Sequence, residues 1–595
     1  MASGVRIGDS ELDVVWTRFS HNRSYGSISF PPSAISGMQG GHTIGLMLGE
    51  GFCGESAGKA SKNATRAGLL RVAFHTADEK PGEVPLLTVV TDSTWQVSGG
   101  PIIWDSNYYG ESYDARLEQE GWNAPGFRPG AAWSAATVIH YPRAPFMSSQ
   151  LMPPIRAVRE LKPIAIIPVN NNDGGVGATA TSIPSWTFDF GQEFAGWCTL
   201  ALPGNTPRGV NITLAYTEVL AHPPLVGPET PSGPPVPASY DGTAFYGNLF
   251  WSYPVDHYVT KGPDPHVPGQ QEHYSPSFTQ HGFRYVQLTA DPPLDADPTD
   301  AMLTGINLRS DVREQSHLAI AHPLLQRLSN NSWWTEAAAL IGVPQGATGR
   351  GERGAWTGDS AFASESEAFD FDTAAFFGQY LLQHRDLICN DGTVGNVVPA
   401  TDPRRDGPLE QTNPNCSGIE GDPSWGTAYP TIAWNLWRYY HVPGVLQTHY
   451  AKLTLYMGML EAQYTQSGLK TFFCKYGDWN PVVKTSCHIT AAASFLHDLI
   501  HMADIAAAAG DAAAAAKYRA RLQELKPEWH AAFWDPINKV YGTGTQTAQA
   551  LPLWLGIVPD DLVSGVVSNL VDSLAQHGYN GGFIGVSGID AMGAP

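Results

Sequence analysis

The periodicity of this chain changes near residue 312, and that change limits what it can fold into. Ahead of it, short β-branched runs alternate with turns rich in glycine and proline. Leu86-Leu87-Thr88-Val89-Val90-Thr91 is one such run. Val210-Asn211-Ile212-Thr213-Leu214-Ala215-Tyr216 is another, and it largely alternates apolar with polar positions, as a half-buried strand does. Turn clusters such as Pro203-Gly204-Asn205 and Pro231-Ser232-Gly233-Pro234-Pro235 separate these runs. The pattern predicts β-sandwich domains. A passage around 163–180, including Asn170-Asn171-Asn172-Asp173-Gly174-Gly175, reads as a join between two of them.

Beyond that point the period is helical. Ala492-Ala493-Ser494-Phe495-Leu496-His497-Asp498-Leu499-Ile500 reads as helix, and Asp511 follows Gly510 as an N-cap for the next one. Tyr518, Leu522 and Leu525 fall on one face of that helix. Pro527 is expected to end or restart it, after which Trp529 and Phe533 continue the apolar stripe. Helices alternate with Gly/Pro/Asp-rich loops, which suits helical hairpins; closed into a toroid, these would collect their loops at one end. Periodicity alone does not require that closure.

With 595 residues the chain is too long for one core and predicts roughly three to five domains. Its formal charge of −21 makes nucleic acid and membrane surfaces poor partners, since both are anionic, whereas a neutral ligand is accommodated. The 18 Trp and 23 Tyr suit either sugar-stacking sites or a large β-rich core. Cys53, Cys198, Cys389, Cys416, Cys474 and Cys487 have no CxxC spacing, so a zinc or redox motif is not expected. Buried thiols are the favoured reading; Cys389–Cys416 or Cys474–Cys487 would pair in an oxidising compartment. No apolar run is long enough to span a membrane, and Met1-Ala2-Ser3-Gly4 begins no signal peptide, which leaves the compartment open.

The stretch Gly351-Glu352-Arg353-Gly354-Ala355-Trp356-Thr357-Gly358-Asp359-Ser360 places two carboxylates around an indole. Its glycines disfavour helix interior, so it is expected to be a loop leading into a helix that carries Phe369, Phe376 and Phe377. Glycoside hydrolysis needs one carboxylic acid to protonate the departing oxygen and one carboxylate to activate water or attack the ring. An apolar neighbour such as Trp356 would raise the pKa of Glu352 toward that of a general acid. The plainer reading is a solvated or helix-capping pair of acids. Tyr476-Gly477-Asp478-Trp479-Asn480-Pro481 and Asp422-Pro423-Ser424-Trp425-Gly426-Thr427 repeat the pairing of an acid with a loop tryptophan. Three such loops in one helical region suggest a sugar subsite, although each alone is more often packing.

At this point the chain resembles the inverting α-L-rhamnosidases of bacteria and fungi along nearly its whole length. The likeness is carried first by Trp95, Gly110-Glu111-Ser112-Tyr113-Asp114-Ala115-Arg116 and Gly121-Trp122. It continues through Phe188-Asp189-Phe190-Gly191-Gln192, Gly196-Trp197, Tyr216-Thr217-Glu218 and Phe278-Thr279-Gln280-His281-Gly282-Phe283-Arg284-Tyr285. In the helical region it rests on Glu352-Arg353, Trp356-Thr357-Gly358-Asp359, Trp425-Gly426, Gly477-Asp478-Trp479 and Thr545-Gln546. The resemblance implies N-terminal β-sandwich domains followed by an (α/α)6 barrel. Its boundaries would be 1–160 for the N-terminal sandwich, 161–305 for a second, concanavalin-like sandwich, and 306–595 for the six-hairpin catalytic domain. The implied reaction is hydrolysis of terminal non-reducing α-L-rhamnose with inversion, without metal or other cofactor. Glu352 takes the general-acid position, Trp356 and Asp359 match rhamnose-binding positions, Trp425 and Trp479 match stacking walls, and Asp478 belongs to the same motif.

Departures from the family pattern carry their own expectations. The Asp-Cys-Pro-x-Arg-Asp run usual before the acid is here Gly346-Ala347-Thr348-Gly349-Arg350-Gly351, which keeps the arginine and loses both aspartates. Thr427 replaces an Asp usual after Trp-Gly. The family's general base is expected beyond Pro595 and the first strands ahead of residue 1, so the chain reads as truncated at both ends, with an incomplete barrel. Two alternatives stand beside the rhamnosidase reading. One is a catalytically incomplete carbohydrate-binding protein; the other is an (α/α)6 glycosidase of different sugar specificity, for which Gly346 leaves room. Aglycone, linkage and oligomeric state are not encoded in these motifs.

Overall fold

The computed structural model describes residues 45–49, 87–124, 126–138, 151–169, 183–220, 242–250, 252–399 and 421–582. It also gives the backbone of short strands at 5–7, 10–12, 22–25, 55–56, 59–60, 71–74 and 146–149. The chain divides into two compact units, Met1–Asp311 with Leu318–Arg353, and Val312–His317 with Gly354–Pro595.

The first unit is built on a ten-stranded sheet. Its strands are β1 (Ile102–Ser106), β2 (Gly110–Asp114), β3 (Ile155–Leu161), β4 (Ala165–Pro168) and β5 (Ser185–Gly204). They continue as β6 (Asn211–Thr217), β7 (Val255–Val259), β8 (Gly269–Tyr274), β9 (His281–Asp291) and β10 (Leu303–Ser310). The order across the sheet is β1-β2-β7-β6-β9-β5-β10-β3, with β4 and β8 also paired to β5, and only the β2–β7 pair is parallel. The alternation expected at 210–216 is β6, with Ile212, Leu214 and Tyr216 buried and Asn211, Thr213 and Ala215 half-buried. Strand β5 changes partner along its length, from β9 at Ser185–Asp189 to β10 at Gly196–Leu200 and β8 from Leu200. At Gly196 the two backbones come so close that a Cβ would lie 1.8 Å from the Ile306 carbonyl oxygen, so the crossing requires glycine. Phe188, Phe190, Phe194, Phe283, Tyr216 and Leu288 fill one core beneath these strands. Helix α1 (Pro323–Ala339) belongs to this unit and packs on β5.

Part of the passage taken as a join is β4, whose Ala165 to Pro168 pair with Asp189 to Trp186. Ile166 packs against the core, and Pro168 ends a strand that pairs on one side, where a missing N–H costs little. The Asn170–Gly175 stretch lies outside the described residues.

The second unit is helical. Its helices are α2 (Thr357–Asp370), α3 (Ala374–Leu387), α4 (Pro423–Gly426), α5 (Ala428–Tyr440) and α6 (Val445–Ser467). After them come α7 (Cys487–Ala508), α8 (Ala512–Phe533), α9 (Gln546–Trp554) and α10 (Asp560–His577). Asp511 caps α8 as expected, its Oδ1 accepting the Ala514 N–H at 2.9 Å. Pro527 neither ends nor restarts that helix, which runs through it to Phe533. Leu522, Leu525 and Trp529 are buried and α8 packs along α7, so tertiary packing offsets the roughly 3 kcal/mol that an interior proline costs. The loop-then-one-helix expectation also fails. Helix α2 already begins at Thr357, inside the decapeptide, and ends at Asp370, where Phe371 turns extended and bridges Glu314. Phe369 therefore sits on α2, exposed, while Phe376 and Phe377 are buried on α3.

The favoured reading of buried thiols holds for Cys198 alone among the described cysteines. Cys474 and Cys487 are disulfide-bonded, their Cα atoms 5.6 Å apart because the intervening segment folds back on itself. Cys389 is disulfide-bonded as well, whereas Cys53 and Cys416 lie outside the described residues. The protein thus combines β-sheet structure with a helical C-terminal region, and none of the described helices is long and apolar enough to cross a membrane.

Candidate active site

Glu352 belongs to the first unit and is half-buried. The main chain around it is held from several sides. The Gly351 N–H donates to the Leu249 carbonyl at 3.0 Å, and the Tyr108 hydroxyl donates to the Glu352 carbonyl at 3.3 Å. A Cβ on Gly351 would lie 2.3 Å from the Phe250 carbonyl oxygen, so this approach needs glycine. Arg353 is fully buried. Its Nη1 donates to the carbonyl oxygens of Asn107 and Gln280, and its guanidinium lies 5.5 Å from the centre of the Tyr108 ring. A buried guanidinium on two carbonyls anchors the backbone next to the candidate acid.

The same loop rests on a second carboxylate. Glu218 Oε1 lies against Gly349, where a Cβ would come within 2.1 Å of it, and Glu218 Oε2 accepts from Asn248 Nδ2 at 2.7 Å. Burial, reinforced by the charge of Glu193, pushes the Glu218 carboxyl up to about 7, with Arg350 opposing. Glu193 and Glu218 line a cleft of about 570 Å³ together with Arg284, Tyr285 and Arg327.

In the second unit the rings gather on Tyr476. Its ring centre lies 4.7 Å from Trp425, 5.8 Å from Trp356 and 5.9 Å from Trp479, the last two edge-on. Trp479 is 49% exposed, Trp356 half-buried and Trp425 only 3% exposed. Trp479 is therefore the open wall, while Trp425 forms packed floor. The reason for that burial is Gly358 in the first turn of α2. A Cβ there would sit 2.6 Å from the indole, so a bare backbone lets Trp425 lie against the helix. Asp359 follows in the same turn, half-buried, where a carboxylate suits a helix N-terminus.

Two buried carboxylates fix the loop that carries Tyr476 and Trp479. Asp422 Oδ2 accepts the N–H groups of Lys475 and Tyr476 at 2.6 and 2.8 Å, while its Oδ1 caps α4 through the Ser424 N–H at 2.7 Å. Asp478 Oδ2 accepts the Thr547 hydroxyl and the Gly582 N–H, the latter at 2.8 Å. The Cys474–Cys487 bond closes the same segment. Trp356, Trp425 and Trp479 are thus brought together, with Asp478 buried beneath their loop. Reading the sequence missed Tyr476, Asp422 and Arg353 as site-building residues. All three lie in the motifs that carry the candidate site, where the signal points to Glu352, the tryptophans and Asp478.

Three family profiles match this chain in order. They are the alpha-L-rhamnosidase N-terminal domain over residues 2–159, the bacterial alpha-L-rhamnosidase concanavalin-like domain over 180–308, and the bacterial alpha-L-rhamnosidase 6 hairpin glycosidase domain over 313–591. An alpha-L-rhamnosidase of Streptomyces avermitilis is 26% identical over 98% of this chain and 50% of its own length. One from Formosa agariphila is 24% identical over 96% of this chain and 56% of its own. The chain therefore spans about half the length of these curated relatives. Among solved structures, alpha-L-rhamnosidase from Dictyoglumus thermophilum superposes with a TM-score of 0.70 at 27% identity, over 85% of this chain and 52% of that one. The Streptomyces avermitilis enzyme, solved with L-rhamnose, gives 0.79 at 23% identity over 100% and 52%, which speaks for the fold.

Proposed function

Because this chain belongs to the bacterial α-L-rhamnosidase family, we propose that it carries a site for hydrolysing terminal non-reducing α-L-rhamnose from glycosides. Glu352 is the general acid in this reading, giving its proton to the departing glycosidic oxygen, and the anomeric centre inverts. Trp479 and Trp356 offer ring faces to the apolar side of the sugar, with Trp425 as the floor behind them. Asp359 contributes hydrogen bonding to hydroxyls, and Asp478 serves the sugar site by holding the loop that carries Trp479. The domains fall at 1–160, 161–305 and 306–595, the last an (α/α)6 barrel. No metal takes part in the bond cleavage.

The observation that carries this reading is the ring cluster on Tyr476, whose outermost member Trp479 is half open to solvent on a loop pinned by Asp422 and Asp478. A wall that is both apolar and rigid suits a sugar face. The test is release of p-nitrophenol from its α-L-rhamnoside, with the first-formed anomer read by NMR. Glu352→Gln should lower the rate by about 10² to 10⁴-fold, the usual contribution of a positioned acid. Equal rates for both proteins would remove Glu352 from the chemistry. Rhamnose binding without turnover would favour the carbohydrate-binding alternative, and preference for another aryl glycoside would favour a different specificity.

A further inference from the structure

Helix α7 carries His497, Asp498 and His501, each offering one ligand atom, and these atoms all lie within 4.8 Å of one another. The i, i+4 spacing puts both imidazoles on one face, with ring centres 4.1 Å apart. Asp498 is fully buried. Its Oδ1 accepts from the Thr427 hydroxyl at 2.5 Å and its Oδ2 from the Tyr456 hydroxyl at 2.9 Å. Among the described residues no lysine or arginine pairs with it. A buried carboxylate held by two hydroxyls and no cation is an uncompensated charge unless it takes up a proton or a metal.

The surroundings resemble the support that metal ligands receive. The Thr431 hydroxyl faces His501 Nδ1 at 3.3 Å, leaving Nε2 for another partner, and the Trp554 ring packs on His497 at 4.6 Å. The ring nitrogens of His497 have no hydrogen-bond partner among the described residues. The other cluster of this kind, Cys474, Cys487 and His488, differs in that its sulfurs are bonded to each other and present no thiolate.

We propose that His497, Asp498 and His501 form a binding site for one divalent cation of the zinc–cobalt type, distinct from the residues assigned to rhamnoside cleavage. Two imidazoles and one carboxylate suit Zn²⁺ or Co²⁺ and disfavour Ca²⁺ and Mg²⁺, which prefer all-oxygen shells. Bound there, the ion compensates the Asp498 charge. Through Thr427 and Tyr456 it ties α7 to the α4–α5 turn and to α6, just below Trp425 in the chain.

The test uses the full chain, stripped with chelator, dialysed, and titrated with Co²⁺. A single equivalent should bind with a visible d–d band, Zn²⁺ should displace it, and Tm should rise with metal concentration. His501→Ala and His497→Gln, with the disulfide left intact, should each lose the band and the Tm response while keeping a cooperative melt without metal. Should His501→Ala fail to fold, His497→Gln alone decides, because its ring makes no hydrogen bond to lose. No band and no Tm change at millimolar Co²⁺ and Zn²⁺ would overturn the proposal. So would uptake that is unaltered in the His497→Gln protein, since the ion would then be held elsewhere.

Discussion

The two candidate regions are built in opposite ways. Around Glu352 the first unit works through backbone: carbonyls of Leu249, Asn107 and Gln280 receive donors from the loop, and glycine at 351 lets the chains touch. Around Tyr476 the second unit works through side chains, with four aromatic rings packed together and two carboxylates tying down the loop beneath. A proton donor must be held at hydrogen-bond distance from one oxygen with a tolerance of a fraction of an ångström, which a stiff backbone clamp provides. A sugar face is broad and tolerates small shifts, which stacked rings accept. Damage to the first region should therefore appear in kcat, and damage to the second in KM.

Apart from the acid itself, the largest effect is expected at Arg353. Arg353→Met leaves the buried carbonyls of Asn107 and Gln280 without their charged donor and should cost about 3 kcal/mol of stability. By shifting the Glu352 backbone it should also lower kcat by about 10²-fold with KM little changed. Urea unfolding and steady-state kinetics on the aryl rhamnoside check both. A KM effect without a kcat effect would erase the distinction between the two regions.

The disulfide gives the next largest effect, on the other side of the comparison. Cys474 and Cys487 bracket Tyr476, Asp478 and Trp479, and a Cβ on Gly477 would lie 2.9 Å from the Cys487 Cβ, so bond and ring loop are in direct contact. Closing a loop of this size stabilises by about 3 kcal/mol in the chain-entropy view. The paired Cys474→Ser, Cys487→Ser protein should melt earlier and show KM raised about tenfold, with kcat at saturation nearly kept, as loss of about 1.4 kcal/mol of stacking predicts. Tyr476→Ala should move KM the same way, while Tyr476→Phe keeps the ring packing and should resemble the parent. Unchanged KM in the cysteine variant would mean that Asp422 and Asp478 alone hold the wall.

These contrasts explain which parts were legible in the sequence. Alternation at 210–216 and the stripe through Leu522, Leu525 and Trp529 are local signals, and each lies on an element of the kind it predicts. The start of α2 at Thr357 was not legible, because Trp356 occupies the N-cap without any side-chain capping bond. Arg353 reads as a surface charge until Asn107 and Gln280, 246 and 73 residues away, close over it. Tyr476 reads as one more aromatic until Trp356, at the N-cap of α2, and Trp425, on α4, converge on it. The motif family resemblance supplied Glu352, Trp356, Asp359, Trp425, Asp478 and Trp479, and the structure differentiates their settings: Trp479 open, Trp425 and Asp478 buried.

The smallest effect belongs to Glu218, and it refines the account of the backbone clamp. Its carboxyl lies against Gly349, three residues before the candidate acid, faced by Glu193, Arg350 and Asn248. Burial raises its pKa from 4.5 to about 7. A carboxyl whose folded pKa is raised favours folding most below its unfolded pKa, and that advantage is lost as pH rises through the folded value. Tm should therefore fall gradually between about pH 4.5 and pH 7, the ionised Glu218 then repelling Glu193 beneath the loop. Glu218→Gln removes the titrating group but keeps a side chain of the same shape for Asn248, so the Tm of this variant should be flatter across that window. The parent and Glu218→Gln proteins should share the same KM throughout, because no ring of the Tyr476 cluster depends on this residue. If instead KM follows the titration and Tm does not, Glu218 acts on substrate binding and the backbone clamp does not end at Gly349.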